Sequence, residues 1–100
     1  MRTARDYEQA ALRFNPWGDD DSPYRVLSNR MVMTRYRHDC AICFQTIPAG
    51  SNTRAQREAL DGKARTFYFC PLCCFSMYVA GRHGNIEPLE ERTQVGMMTR

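Results

Sequence analysis

Five cysteines stand in a chain of 100 residues, and four of them form two Cys-x-x-Cys pairs, Cys40-Ala41-Ile42-Cys43 and Cys70-Pro71-Leu72-Cys73, with 26 residues between the pairs. A two-residue spacer lets the backbone fold into a tight knuckle that turns both sulfurs toward one point. Two knuckles then supply the four thiolates of a closed tetrahedral site. Soft sulfur donors select zinc or iron over magnesium or calcium. The expected cofactor is one structural Zn2+ held by Cys40, Cys43, Cys70 and Cys73. A catalytic zinc keeps one coordination position open, and four thiolates leave none.

The fifth cysteine, Cys74, adjoins the second pair. On a helix it points ~100° away from Cys73, so it reads as a buried apolar residue, with exchange for Cys73 as the alternative. His38 and His83 offer the nitrogen donors, and beside four well-spaced sulfurs each reads as a surface or supporting group. The odd cysteine number argues against a closed disulfide framework. Residues 1–14, MRTARDYEQAALRF, carry charges throughout and lack the apolar centre of a secretory signal. A reducing, cytoplasmic setting is therefore expected. A domain this small buries only about 60–65% of its unfolded surface, so a metal staple has work to do. No run approaches the ~18 apolar residues of a membrane helix, and no membrane partner is expected.

Charge is distributed unevenly. Residues 1–22 hold three Arg and five acids, residues 23–69 hold eight basic residues and three acids, and residues 70–100 hold three of each. Four thiolates and one divalent ion bring the formal net charge from +3 to +1, so the total says little about partners. The basic middle says more. Thirteen of the fourteen basic residues are Arg, the side chain suited to bidentate and stacking contacts, although a codon bias toward Arg explains the count equally well.

The elements that must position the cysteines follow from the pattern. Residues 3–14 predict an amphipathic helix with Thr3 as N-cap and Tyr7, Ala10, Ala11 and Phe14 on one face, ended by Asn15-Pro16. Trp17 is expected to pack back on the core, and Asp19–Asp21 to lie in a solvated loop. Strand-like alternation spans Tyr24–His38, with Val32, Thr34 and Tyr36 on one face and Met31, Met33, Arg35 and Arg37 on the other. A turn at Ile47-Pro48-Ala49-Gly50 leads to a hairpin of Ser51–Arg57 and Ala64–Phe69 around Leu60–Lys63. Residues 73–80 predict a short apolar helix closed by Gly81, and residues 84–100 a loose tail. The expected organisation is an N-terminal helix and acidic linker over 1–22, a zinc-finger domain over 23–83 and a tail over 84–100.

This run of features, Cys40-x-x-Cys43, Ile47-x-x-Gly50, an Asp-Gly hairpin turn, an aromatic strand and Cys70-Pro-x-Cys73 entering a helix, resembles a treble-clef zinc finger over residues 38–80. More narrowly it is similar to small zinc proteins common in bacteriophages and bacteria. Phe44 stands where a Gly often follows the first knuckle. The resemblance implies a small α+β fold, a zinc-stabilised treble-clef or ribbon-like finger with β-hairpins and short N-terminal and C-terminal helices. It also implies, among phage-type proteins, small inhibitors of a host complex. A RING finger needs eight ligands, and Cys and His together number seven.

Three function classes follow. The first is a non-enzymatic interaction module for a protein or ribonucleoprotein, with Arg35, Tyr36, Arg37, Arg54, Arg57 and Arg65 as the expected partner-binding residues. The second is a nucleic-acid-binding finger that uses the basic middle, to which Arg30 and Lys63 add, with Tyr36 available to stack. The third is a treble-clef nuclease, for which His83 and Asn85 are the nearest residues of the right kind. No Ser-His-Asp or Cys-His arrangement and no Gly-rich phosphate loop is present, so neither catalysis nor a small-molecule substrate is expected.

Overall fold

The computed structural model describes residues 4–17 and 24–99. They form an α+β body of three helices and two antiparallel sheets, in the order α1 (Ala4–Arg13), β1 (Arg25–Met33), β2 (His38–Asp39), β3 (Thr46–Ile47), β4 (Asn52–Leu60), β5 (Lys63–Phe69), α2 (Pro71–His83) and α3 (Glu87–Thr99). Thr3 and the acidic stretch Asp19–Asp21 lie outside the described residues. No described helix is long and apolar enough to cross a membrane.

The larger sheet has the order β1-β4-β5, and β2 pairs with β3 in a second, two-stranded sheet. Asp61 and Gly62 join β4 to β5 with φ of 53° and 77°, the positive-φ pair that suits a two-residue hairpin turn. The strand expected over Tyr24–His38 stops at Met33, because Thr34 is held elsewhere. Its N–H donates to the Ser51 carbonyl at 2.9 Å, its hydroxyl donates to the Pro48 carbonyl at 2.9 Å, and its own carbonyl accepts from Gly50 at 2.8 Å. Thr34 is therefore buried while Arg35, Tyr36 and Arg37 turn out to solvent. The period-two face expected to join Val32, Thr34 and Tyr36 breaks at this anchor.

One face of the sheet is covered by helices. Phe69, Cys74, Met77 and Leu89 are buried there, with Phe14, Trp17, Met31 and Phe67 packed against them. Trp17 anchors as expected, its ring edge-on to Phe67 at 5.1 Å and tilted against Phe69 at 5.7 Å. The opposite face, where Ser28, Arg30 and Val32 of β1, Ala55 and Arg57 of β4, and Thr66 and Tyr68 of β5 alternate outward, lines an open concavity edged by Thr34, Arg35, Tyr36 and His38.

Arg54 departs from the expected partner-binding set. It is 1% exposed, and its guanidinium is committed inside the fold. Nη1 donates to the Ala11 and Phe14 carbonyls at 3.0 and 2.9 Å, Nε donates to Asn29 Oδ1 at 2.8 Å, and Nη2 donates to Gln56 Oε1 at 2.7 Å. Asn29 adds a donor to the Leu12 carbonyl. The sheet thus caps the carbonyl end of α1, where helix groups otherwise lack partners and a cation is favoured. Charge balance comes at one remove, since Gln56 Nε2 and Trp17 Nε1 both donate to the buried Glu58 carboxylate. Burial pulls the Arg54 guanidinium below its ordinary value, with nearby Cys74 and Glu58 opposing.

The C-terminal half corrects two expectations. The second helix begins at Pro71 and runs to His83, past Gly81, which lies near Ala10 of α1 and Phe14 just beyond its end; the left-handed cap is Gly84, with φ 70°. A Cβ at Gly81 would meet only ordinary contact distances, so the helix runs through this position, and the break comes three residues later. Residues 87–99 are a helix and not a loose tail. Asn85 Oδ1 accepts from the Glu87 N–H at 3.1 Å, Pro88 sits in the first turn, and Glu87 and Glu90 stand at the positive end of the dipole.

Replacing Arg54 by Met leaves the Ala11 and Phe14 carbonyls without their buried donor and Glu58 without its nearby positive charge. We expect urea unfolding of the metal-loaded protein to show a loss of about 3 kcal/mol or more, against about 0.5 kcal/mol or less for Arg57→Ala. Equal small losses would contradict the structural role given to Arg54.

Candidate metal centre

The first knuckle is set by the short β2–β3 ladder, in which His38 faces Ile47 and Asp39 faces Thr46. Cys40 N–H donates to the Gln45 carbonyl at 2.9 Å and Phe44 N–H returns to the Cys40 carbonyl at 3.0 Å, closing the turn. Phe44 takes φ 60° there. That left-handed conformation is the one a Gly would adopt freely, and it costs a larger residue roughly 1–2 kcal/mol. The second knuckle is the start of α2. Cys70 is its N-cap in extended conformation, its Sγ accepting the Cys73 N–H at 3.4 Å, and Pro71 occupies the first turn. Helix N-termini favour negative charge, so this position suits thiolate.

The two knuckles meet through β5. Cys40 bridges to Tyr68, and Ala41 N–H donates to the Tyr68 carbonyl at 2.8 Å, only two residues before Cys70. All four sulfurs consequently lie within 4.8 Å of one another and every one of the four cysteines is buried. Cys40 and Cys73 sulfurs are 3.6 Å apart, as are those of Cys43 and Cys70. A tetrahedral ion with Zn–S bonds of ~2.3 Å requires sulfur separations of ~3.8 Å, so the cage has the size for such an ion. The four cysteines can hold a metal ion, and the set is consistent with zinc. Cys70 N–H also donates to Cys40 Sγ at 3.3 Å, an added dipole toward sulfur charge.

The electrostatics call for a cation. Hydrogen bonds from the Cys70 and Cys73 thiols push Cys40 far below the ordinary thiol range, whereas the bonds to Cys40 and Cys70, followed by burial, push Cys73 far above it. Hydrogen bonding with Cys40 likewise raises Cys70, to about 12. One sulfur can carry charge only while its neighbours keep their protons. Four thiolates so close together require a divalent ion among them.

α3 supplies what the cysteine spacing did not reveal. Burial opposes the charge on Arg92, but hydrogen bonding to the Cys73 and Cys43 sulfurs outweighs it and raises the guanidinium above its ordinary value. A cation next to a four-thiolate site offsets part of its net −2. Gly96 lies hard on the first knuckle, where a Cβ would meet the Ile42 carbonyl oxygen and come within 3.1 Å of Cys43 Cα. The recurrence of Leu89, Arg92, Val95 and Gly96 on one helical face was the available signal, hidden in a mostly polar segment.

Other candidates fall outside the sulfur cage. Cys74 is buried in the neighbouring apolar cluster and donates to the Phe69 carbonyl at 3.3 Å, with burial raising its thiol. His38 stacks on Tyr68 at 3.7 Å, and His83 meets the edge of Tyr78 at 5.6 Å. Asn85 caps α3. Among the described residues the four cysteines are the only group placed to hold a metal. Of the expected partner-binding residues, Arg35 and Tyr36 border a concavity of about 530 Å³ on the open sheet face and Arg57 lines it, joined by Arg30. Arg37 is exposed in the same connection. Arg54 is internal, and Arg65 lies over the Phe67 ring at 5.4 Å on the other side of the sheet. No protein-family model, curated protein or solved structure matches the chain.

Ser in place of Cys40, Cys43, Cys70 or Cys73 is expected to abolish metal retention, whereas Cys74→Ala keeps the metal and loses about 1 kcal/mol as a core truncation. Arg92→Gln is expected to weaken zinc about 10- to 100-fold in competition with a chromogenic chelator. Metal release by Cys74→Ala with retention by Cys73→Ser would contradict the assignment.

Proposed function

We propose that this chain is a non-enzymatic interaction module stapled by one structural zinc ion, with a metal unit of treble-clef type. The observation that carries it is the closed set of four buried sulfurs, which offers a metal no open position for substrate. Support for the treble-clef type comes from the order of parts: a knuckle between β2 and β3, the β4–β5 hairpin, and a second knuckle at the start of α2. The nuclease alternative has no support in the placement of His83 and Asn85, each occupied in its own helix end.

Two surfaces suit partners. Leu72 and Phe75 of α2 are 61% and 53% exposed, and Tyr7 stacks on Phe75 at 6.3 Å, an apolar outer face that fits a protein. The open sheet face is basic and fits an anionic partner. A ribonucleoprotein presents both kinds of surface. Metal-loaded chain used as bait in an extract of its native host should retain a partner in near-stoichiometric amount, and nuclease treatment sorts protein from nucleic acid. The Cys73→Ser variant should retain nothing. A zinc-stripped chain that keeps its melting temperature and captures the same partner would contradict the proposal.

A further inference from the structure

We infer that the open face of the β1-β4-β5 sheet binds single-stranded nucleic acid. This assignment rests on the interaction-module reading and gives it a surface and a partner class. The concavity is floored by the small Ala55, which sits in register between Arg30 on β1 and Tyr68 on β5. One pair along, Arg57 lies between Ser28 and Thr66. Arg35 and Tyr36 close one end. No carboxylate lines this surface: of the two acids adjacent to it in sequence, Glu58 is tied to Trp17 and Gln56 on the covered side, and Asp39 lies in the adjoining cleft, which shares His38, Thr66 and Tyr68 with it.

Charge complementarity alone would admit any polyanion; the rings narrow the choice. Tyr36 is 74% exposed, a free aromatic face beside Arg35. His38 and Tyr68 form a second platform, stacked at 3.7 Å with 12° between planes. Successive bases can stack on such platforms while arginines take the phosphates, an arrangement tolerant of sequence. A duplex keeps its base faces paired and stacked, and a peptide of acidic residues alone has no aromatic rings to offer. The platforms are also held in place before any ligand arrives. Thr34 pins the Arg35–Arg37 turn through four hydrogen bonds, and the first knuckle carries His38 onto Tyr68 through the Cys40 bridge. Preorganisation of this kind lowers the ordering cost of binding.

The test is fluorescence anisotropy with the zinc-loaded full chain and labelled 20-nucleotide oligo-dT and oligo-rU, beside a 20-base-pair duplex and polyglutamate, at ~150 mM salt. Saturable binding of the single strands above the duplex and polyglutamate is expected, with a log–log salt slope of about −2 for three phosphate contacts. Arg30→Ala and Arg57→Ala should each remove about 0.7 of that slope. Tyr36→Ala should weaken binding about 5- to 150-fold and leave the slope unchanged. Arg82→Ala, on α2 at the covered side, should change neither. All variants should keep their zinc and melting temperature. Failure of both single strands to saturate overturns the inference, as does equal affinity for the duplex or polyglutamate, or an unaltered affinity in Tyr36→Ala. With zinc and fold intact, any of these leaves the metal-stapled module standing; loss of the fold on zinc removal failing to occur is what would sink that.

Discussion

Four sulfurs brought within 4.8 Å of one another in the protein interior are the constraint from which the rest of the molecule follows. They come from two points that the chain separates by 26 residues, so any ion that binds them closes a loop containing the whole β4–β5 hairpin. In a domain this small the free energy of binding a structural ion, roughly 10–16 kcal/mol in zinc-finger peptides, is folding free energy. An ion bound there would fix the first knuckle against β5 and the start of α2. From there the helix direction, the docking of α1 on α2, and the approach of α3 through Gly96 are set in turn.

A second, metal-independent tie holds the other end. Arg54 reaches from the centre of the sheet to the last carbonyls of α1, and Gln56 and Trp17 connect that cation to Glu58. This network spans the covered face, so the sheet is loaded with structural duties on one side only. Its other side is left with outward arginines and rings, and the metal unit contributes His38 to that side. Cysteine cluster and surface are therefore coupled: the knuckle that carries Cys40 and Cys43 also sets the His38–Tyr68 stack.

The clustering of the four cysteines was legible because their spacing is a local property, dictated by what a knuckle can reach. The Asp61-Gly62 hairpin and the Trp17 anchor were legible for similar reasons, as short-range turn chemistry and a bulky ring beside a helix end. The fate of individual arginines was not. Arg54 and Arg57 sit three residues apart on one strand, and alternation alone cannot say which side is covered until α1 is placed across it. The end of β1 was missed because Thr34 spends its hydroxyl and both backbone groups on residues 48–51, a tertiary choice that overrides strand propensity. Helix α3 was missed because its apolar face is narrow and is shared with Arg92, a charge that makes sense only beside thiolates.

The central claim is that the four cysteines share one zinc ion. Zinc K-edge X-ray absorption of the purified protein tests it directly, because the first shell reports both the kind and the number of donors. The account predicts one zinc per chain with four sulfur neighbours at about 2.3 Å and no lighter atom in the first shell. Nitrogen or oxygen in that shell, or fewer than four sulfurs, would contradict it.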